Sequence, residues 1–198
     1  MKALSDRQSI RSFSEKALSQ KDLSDLLWAA NGINRQESGK RTAPSAMNRQ
    51  DVKIYICTKK ASYLYDHKAH AMIPVNDGDV RPADAPICLI LVTDTAEPWA
   101  AMDAGIVSQN ISLFCSGTGL ATYPRASMNK DALAKALKLT SPQTPMLCHP
   151  VGYKNNYFRL HSPDSPEKKP SEMEMNSTTG RIMVPEEYPC RCRESSLQ

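Results

Sequence analysis

A chain of 198 residues suffices for one ordinary domain and falls short of two. Its 40% hydrophobic and 23% charged content is that of a globular protein, and its longest apolar run, residues 85–92, is too short to span a bilayer. The formal charge of +4 comes without a basic stripe interleaved with aromatics, so neither nucleic acid nor a membrane is an expected partner. The start, Met1-Lys2-Ala3-Leu4-Ser5-Asp6-Arg7, lacks the apolar stretch of a secretory leader, although a leader cleaved ahead of residue 1 would leave the same start. Cys57, Cys88, Cys115 and Cys148 sit singly in apolar stretches and read as small buried hydrophobes, while Cys190-x-Cys192 has no second ligand pair. A reducing, cytoplasmic setting is the expectation.

In chain order, Ser19-x-x-Asp22 has capping-box spacing ahead of Leu23, Leu26, Leu27 and Ala30, which predicts an amphipathic helix ended by Gly32. Residues 51–58 alternate polar and apolar and predict a strand. Residues 63–65 and 71–73, with Asp66-His67-Lys68 between them, predict a hairpin. Residues 85–93 are apolar on both faces, hence a central strand. Pro98 is placed to open a long helix carrying Ala100, Ala104, Val107, Ile111, Phe114 and Cys115, with Gly117 and Gly119 at its end. Ile106 and Leu113 extend the apolar surface of that helix beyond one stripe. Asn129 caps a short helix with Leu133, Ala136 and Leu137, and residues 146–153 read as a last strand. Helices and strands do not alternate regularly, so the expected class is α+β. From Lys154 the composition changes. Residues 154–198 hold five prolines, seven basic and seven acidic residues and few large aliphatics, which predicts a mostly disordered tail behind a folded body of residues 1–153.

Three segments offer chemistry. In Arg7-Gln8-Ser9-Ile10-Arg11-Ser12-Phe13, an extended backbone would put Arg7, Ser9 and Arg11 on one side, a compact anion site; a solvated basic strand is the plainer alternative. In residues 42–50, Pro44 fixes its φ, Ser45 can cap a turn, and Asn48 and Gln50 carry amides able to read a polar ring; alone, this is also an ordinary helix start. In residues 103–110, the Gln109-Asn110 pair needs partners, across a helix interface or at a ligand. His149 and Tyr153 could carry protons, though a satisfied core histidine fits as well. His67-x-x-His70 lies on the hairpin turn without a third ligand, so no metal is expected, and no P-loop, G-x-S-x-G or G-x-G-x-x-G is present.

Together these pieces resemble the nitroreductase family of flavin enzymes. The resemblance rests on residues 7–13, Leu18-Ser19, Leu26-Leu27-Trp28-Ala29-Ala30, Ala43 to Gln50, Gly105-x-x-x-Gln109-Asn110, Gly119 to Thr122 and Val151-Gly152-Tyr153, in that order. The Tyr63-Leu64-Tyr65-Asp66 hairpin and the short stretch between Asn48 and Asp103 are most similar to the compact branch that includes azoline-forming peptide dehydrogenases. It implies a central, mostly antiparallel sheet flanked by helices, and an FMN-binding domain over residues 1–153.

Residue by residue, the resemblance implies that Arg7 and Ser9, with Gln8 between them, hold the FMN phosphate and ribityl chain. Arg11 matches the cation beside the flavin N1 and C2 carbonyl, an electrostatic stabiliser of the reduced ring. Pro44, Ser45, Ala46 and Asn48 match a segment that reaches the flavin across a dimer interface. Gly119, Leu120, Ala121 and Thr122 match a stretch whose backbone passes close to the cofactor, with Ala121 where the family often has glycine. Lys154, with Arg159 behind it, stands where the family supplies a further phosphate cation. The implied function is an FMN-dependent oxidoreductase, a homodimer with shared sites, that uses NAD(P)H to reduce nitro, quinone or similar acceptors in two half-reactions. No side chain need act as nucleophile. Two other readings stay open: a flavin-dependent dehydrogenase of a modified peptide or metabolite, with Tyr153, Lys154 or His149 as base, and a flavin-binding protein without turnover.

Overall fold

Residues 87–93 (ICLILVT) offer no polar face, so a strand made from them must be covered on both sides. The computed structural model describes residues 1–155. Its elements run α1 (Lys2–Asp6), α2 (Gln20–Asn31), β1 (Ile33–Arg35), β2 (Lys40–Arg41), β3 (Val52–Thr58), β4 (Ala61–Asp66), β5 (Ala71–Asp77), β6 (Ile87–Thr93), α3 (Ala100–Thr118), β7 (Leu120–Thr122), α4 (Lys130–Ala136) and β8 (Thr144–Tyr153). Six strands form one sheet in the order β5-β4-β3-β6-β8-β7, every neighbouring pair antiparallel, while β1 and β2 make a separate ribbon. All seven residues of β6 are buried. The class is α+β, as the sequence predicts.

Because side chains alternate along a strand, the sheet builds two cores. On one face Ile54, Ile56, Leu89 and Leu91 meet Val107 and Ile111 of α3, together with Leu26, Leu27 and Ala30 of α2. On the other, Tyr55, Cys57, Cys88, Ile90 and Val92 meet Leu133 and Leu137 at α4. The polar and apolar alternation of residues 51–58 therefore overstates exposure, since β3 lies inside the sheet and is buried on both faces. Cys57, Cys88, Cys115 and Cys148 are free and buried.

The predicted caps are present. The Ser19 Oγ accepts from the Asp22 N–H at 3.0 Å and donates to its carboxylate at 2.7 Å. The box is closed from far along the chain: the Ser19 N–H donates to the Tyr153 hydroxyl at 3.1 Å, and that hydroxyl donates to Asp22 at 2.5 Å. The Tyr153 hydroxyl and Ser19 hold the Asp22 carboxyl below its ordinary value. Gly32 ends α2, and a Cβ there would lie 2.7 Å from the Trp28 carbonyl oxygen. Gly119 ends α3 at φ +80, and the Asn129 side chain accepts from the Ala132 N–H at 3.0 Å.

Some boundaries differ. Helix α3 starts at Ala100 because Pro98 sits in a turn closed by the Ala100 N–H on the Glu97 carbonyl. Strand β8 starts two residues earlier than predicted, and α1, β1, β2 and β7 are not foreseen. Ile106 and Leu113 are half-buried. No helix among the described residues is long and apolar enough to cross a membrane. Of the tail expected to be disordered, residues 154–198, Lys154 is ordered in an antiparallel bridge with Phe13, while residues 156–198, with Arg159, Cys190 and Cys192, lie outside the described residues.

Losing an N-cap hydroxyl costs about 1 kcal/mol. Ser19→Ala is therefore expected to lower unfolding stability by that order, and Tyr153→Phe to act in the same direction. Because both belong to one network, the double variant is expected to lose less than the sum, measured by denaturant unfolding.

Candidate functional site

Two sets of residues predicted for the site lie at opposite ends of α3. At its C-terminal end, Gly119 turns the chain into β7, whose Leu120, Ala121 and Thr122 are all buried. Residues 7–12 carry no strand of their own, and the Ile10 N–H donates to the Thr122 carbonyl at 3.0 Å. The Ser14 N–H then donates to the Tyr153 carbonyl at 2.9 Å, and Phe13 bridges Lys154 in antiparallel fashion. Gly152 makes this approach possible, since a Cβ there would come within 2.8 Å of Pro86 and 3.1 Å of Phe13. Gln8, Ile10, Ser116, Leu120, Thr122 and Lys154 thus line one small recess.

Polar groups here are left without partners. The Ser116 hydroxyl is buried and unbonded. Arg7 and Lys154 form no ion pair among the described residues. Arg11 is held by its flat face instead, 5.0 Å over the ring of Tyr123, which stacks against Phe13. Sequence reasoning missed Tyr123, although its place directly after Thr122 was a signal.

At the N-terminal end of α3, the Ala46 N–H donates to both carboxylate oxygens of Asp103 at 3.0 Å. Ser45 does not cap a helix; its Oγ accepts from the Gln50 N–H at 2.8 Å. The turn is strained, since Met47, Asn48 and Gln50 adopt φ of 50, 54 and 53, a region that side chains with a Cβ disfavour by roughly 1–2 kcal/mol each. Pro44, Met47 and Asn48 are exposed. From Asp103 to Thr118 the helix rises about 22 Å at ~1.5 Å per residue, and β7 continues beyond it. One copy of the chain therefore does not bring both sets together.

Other candidates have structural roles. Asn110 donates to the Ala30 carbonyl across the α2–α3 interface at 3.3 Å, while Gln109 is exposed. His149 is 0% exposed, bonded to the Ser108 hydroxyl at 2.7 Å and the Thr122 hydroxyl at 3.1 Å; burial pushes it down to about 4, so it is a neutral core residue. Tyr153 closes the α2 cap. His67 and His70 face different partners, Arg41 for the first and Ser24 and Tyr65 for the second. A separate cleft of about 860 Å³ opens beside Arg11, bounded by Lys59, Lys60, Arg81 and Pro86.

The sequence profile of the nitroreductase family matches residues 4–153. This chain belongs to the nitroreductase family. A Methanocaldococcus jannaschii protein, provisionally named a nitroreductase, is 27% identical over 176 residues, covering 75% of this chain and 87% of the relative. The crystal structure of a protein from Ralstonia eutropha JMP134, also provisionally called a nitroreductase, is 30% identical, with a TM-score of 0.74 over 78% of this chain and 82% of that one. The Escherichia coli microcin synthetase McbBCD complex, solved with truncated pro-MccB17 bound, shares the fold at 19% identity and a TM-score of 0.62, over 78% and 73% of the two chains. Membership of the nitroreductase family makes this protein an oxidoreductase.

His149 gives this nitroreductase-family chain a pH signature. The unfolded chain binds a proton near pH 6.5 that the folded chain refuses until about 4, so stability falls as pH drops through that window. The expected loss between pH 6.5 and 5 is about 2 kcal/mol. Thermal unfolding of His149→Gln, compared with the parent across those pH values, is expected to show a shallower slope.

Proposed function

We propose that this oxidoreductase binds FMN in a site shared by two copies of the chain, and uses it with NAD(P)H to reduce nitro, quinone or similar electron-poor acceptors. The observation that carries the reading is the division of the matching residues between the two ends of α3, about 22 Å apart by helical rise and farther than one flavin nucleotide reaches. A two-fold partner brings the second set to the first. Met47 and Met102, 71% and 64% exposed, flank the Ala46–Asp103 contact and offer apolar surface for that association.

The residues at the C-terminal end suit FMN: unpaired Arg7 and Lys154 for the phosphate, and the Ser9 and buried Ser116 hydroxyls for the ribityl chain. Bound there, FMN would supply the hydride chemistry that links NAD(P)H to the acceptor. Arg11, fixed by Tyr123, keeps a positive charge beside the ring where negative charge develops. The Pro44–Asn48 turn of a two-fold partner would lie over the ring and restrict how an acceptor approaches it.

A second reading, oxidation of a modified peptide, is favoured by the open cleft of about 860 Å³ beside Arg11, which leaves room for a substrate larger than a small acceptor. Anaerobic mixing of the yellow protein with NADH or NADPH separates the two: bleaching of the flavin bands supports the first, and bleaching only by a peptide azoline supports the second.

Arg7→Ala is expected to weaken FMN binding roughly tenfold or more, through loss of a charge-assisted phosphate contact, as read by fluorescence titration. Arg11→Ala is expected to slow flavin reduction more than it weakens binding, measured by stopped flow. Sedimentation of the FMN-loaded protein is expected to give a dimer; an active, flavin-saturated monomer overturns the shared site.

A further inference from the structure

Strands β3, β6 and β8 come level at one end of the sheet. Thr58 pairs with Ile87, and Ile87 pairs with Val151, so one row of residues crosses all three strands. With neighbouring strands about 4.8 Å apart, the row is roughly 10 Å wide. Just past it stand Gly152 with Phe13 packed on it, then Pro86, then Lys59 and Lys60, which turn the chain from β3 into β4. The cleft of about 860 Å³ lies over this edge, with Arg11 and Phe13 on the β8 side and Thr58, Lys59 and Lys60 on the β3 side. It joins the Arg11 side of the candidate flavin site to a pair of lysines.

The lysine turn is fixed. The Thr58 hydroxyl accepts from the Lys60 N–H at 3.2 Å and the Ala61 N–H at 3.1 Å, and donates to the Ala61 carbonyl at 2.8 Å. The Lys60 carbonyl accepts from the Gly78 N–H, just beyond β5, at 2.7 Å. Both lysine side chains are exposed and form no ion pair among the described residues. Two adjacent like charges on a fixed turn repel each other, and an anion set between them relieves that repulsion. The carboxylates nearby have other engagements or other places. Both oxygens of Asp79 are taken by Arg81, which also donates to the Ala85 carbonyl. Asp84 acts on Arg81, and Glu15 follows Phe13 on the β8 side.

We infer that Lys59 and Lys60 bind the 2′-phosphate of NADPH and make this chain discriminate against NADH. This assignment rests on the FMN site proposed above and gives the cleft to the adenosine half of the reductant. On that reading the nicotinamide meets the flavin beside Arg11, and the rest of the dinucleotide has the cleft to lie in. Its ribose–pyrophosphate–ribose run crosses the row of three strands over Pro86 and brings the adenosine end to the β3 side. The two dinucleotides differ there alone, in a 2′-hydroxyl or a 2′-phosphate. A phosphate monoester carries a charge of about −2 at neutral pH, which two ammonium groups match. The pyrophosphate, common to both dinucleotides, lies in the middle of the molecule and not at the lysine end of the cleft.

The first test is binding without turnover: isothermal titration of the full chain, at low ionic strength, with adenosine 2′,5′-bisphosphate and with 5′-AMP. The bisphosphate is expected to bind about tenfold more tightly or better. The double variant Lys59→Gln, Lys60→Gln is expected to bind the two alike. Equal binding of both ligands by the parent overturns the assignment, and that comparison needs no variant to fold. A double variant that keeps the preference overturns it too. So does one that weakens both ligands by the same factor, because the lysines then hold the phosphate the ligands share. The second test is flavin reduction of the FMN-loaded protein by stopped flow. The parent is expected to reach half its limiting rate at about a tenfold lower concentration of NADPH than of NADH, and the double variant to lose that advantage. Reduction by both dinucleotides at equal concentrations leaves the reductase reading standing and overturns the lysine site. No reduction by either, beside a clear preference for the bisphosphate, leaves the lysines as a 2′-phosphate site and overturns the reductase reading.

Discussion

Helix α3 is a stiff spacer that cannot bring its own ends together. Its 19 residues pack against the sheet along Ala104, Val107 and Ile111, and burial in that row holds it straight across one face. The residues that match the family's motifs hang on its ends. Asp103 holds the strained turn at one, and Gly119 releases the chain into β7 at the other, where residues 7–14 and Lys154 gather. The sheet fixes the second cluster through β8, whose Gly152 lets Phe13 and Pro86 pack against bare backbone.

Polar satisfaction explains why several reactive-looking residues belong to the scaffold in this chain. His149, Asn110 and Tyr153 looked reactive as residue types, yet each is spent on the fold: a core bond to Ser108, a bridge between two helices, a closed cap. The groups left over are different ones. Ser116 lacks a partner at the C-terminal end of α3, as do Asp51 at the head of β3, Ser62 and Thr93 in the sheet, and the Nε atoms of Arg41 and Trp99 among the described residues. Burying such groups lowers stability, so it is the place of Ser116 in the recess beside family-matching residues, not its lack of a partner, that sets it apart.

Elements defined by local chemistry were legible in the sequence. Ser19 and Asp22 announce a helix start within four residues, and the unbroken apolar run of β6 can only be central. Strands defined by distant partners were not legible. Strand β7 is three residues long and exists because β8 pairs with it, and no periodicity can be read from three residues. The same limit applied to the site: the motif order pointed to residues 7–11, 44–48 and 119–122, while Tyr123 under Arg11 and Asp103 under Ala46 depend on contacts across the fold.

The split between the two ends of α3 has a genetic consequence. In the shared-site dimer proposed above, each site would draw one half from either chain, so two chains damaged at different ends need not be equally lost when they meet. A mixed pair, one chain defective around Arg7 and the other around Ala46, contains one site built from both intact halves and one built from both damaged halves. On that proposal, such alleles are expected to rescue each other in a cell that makes both. Two alleles damaged at the same end have no intact copy of that half to share, and remain silent together.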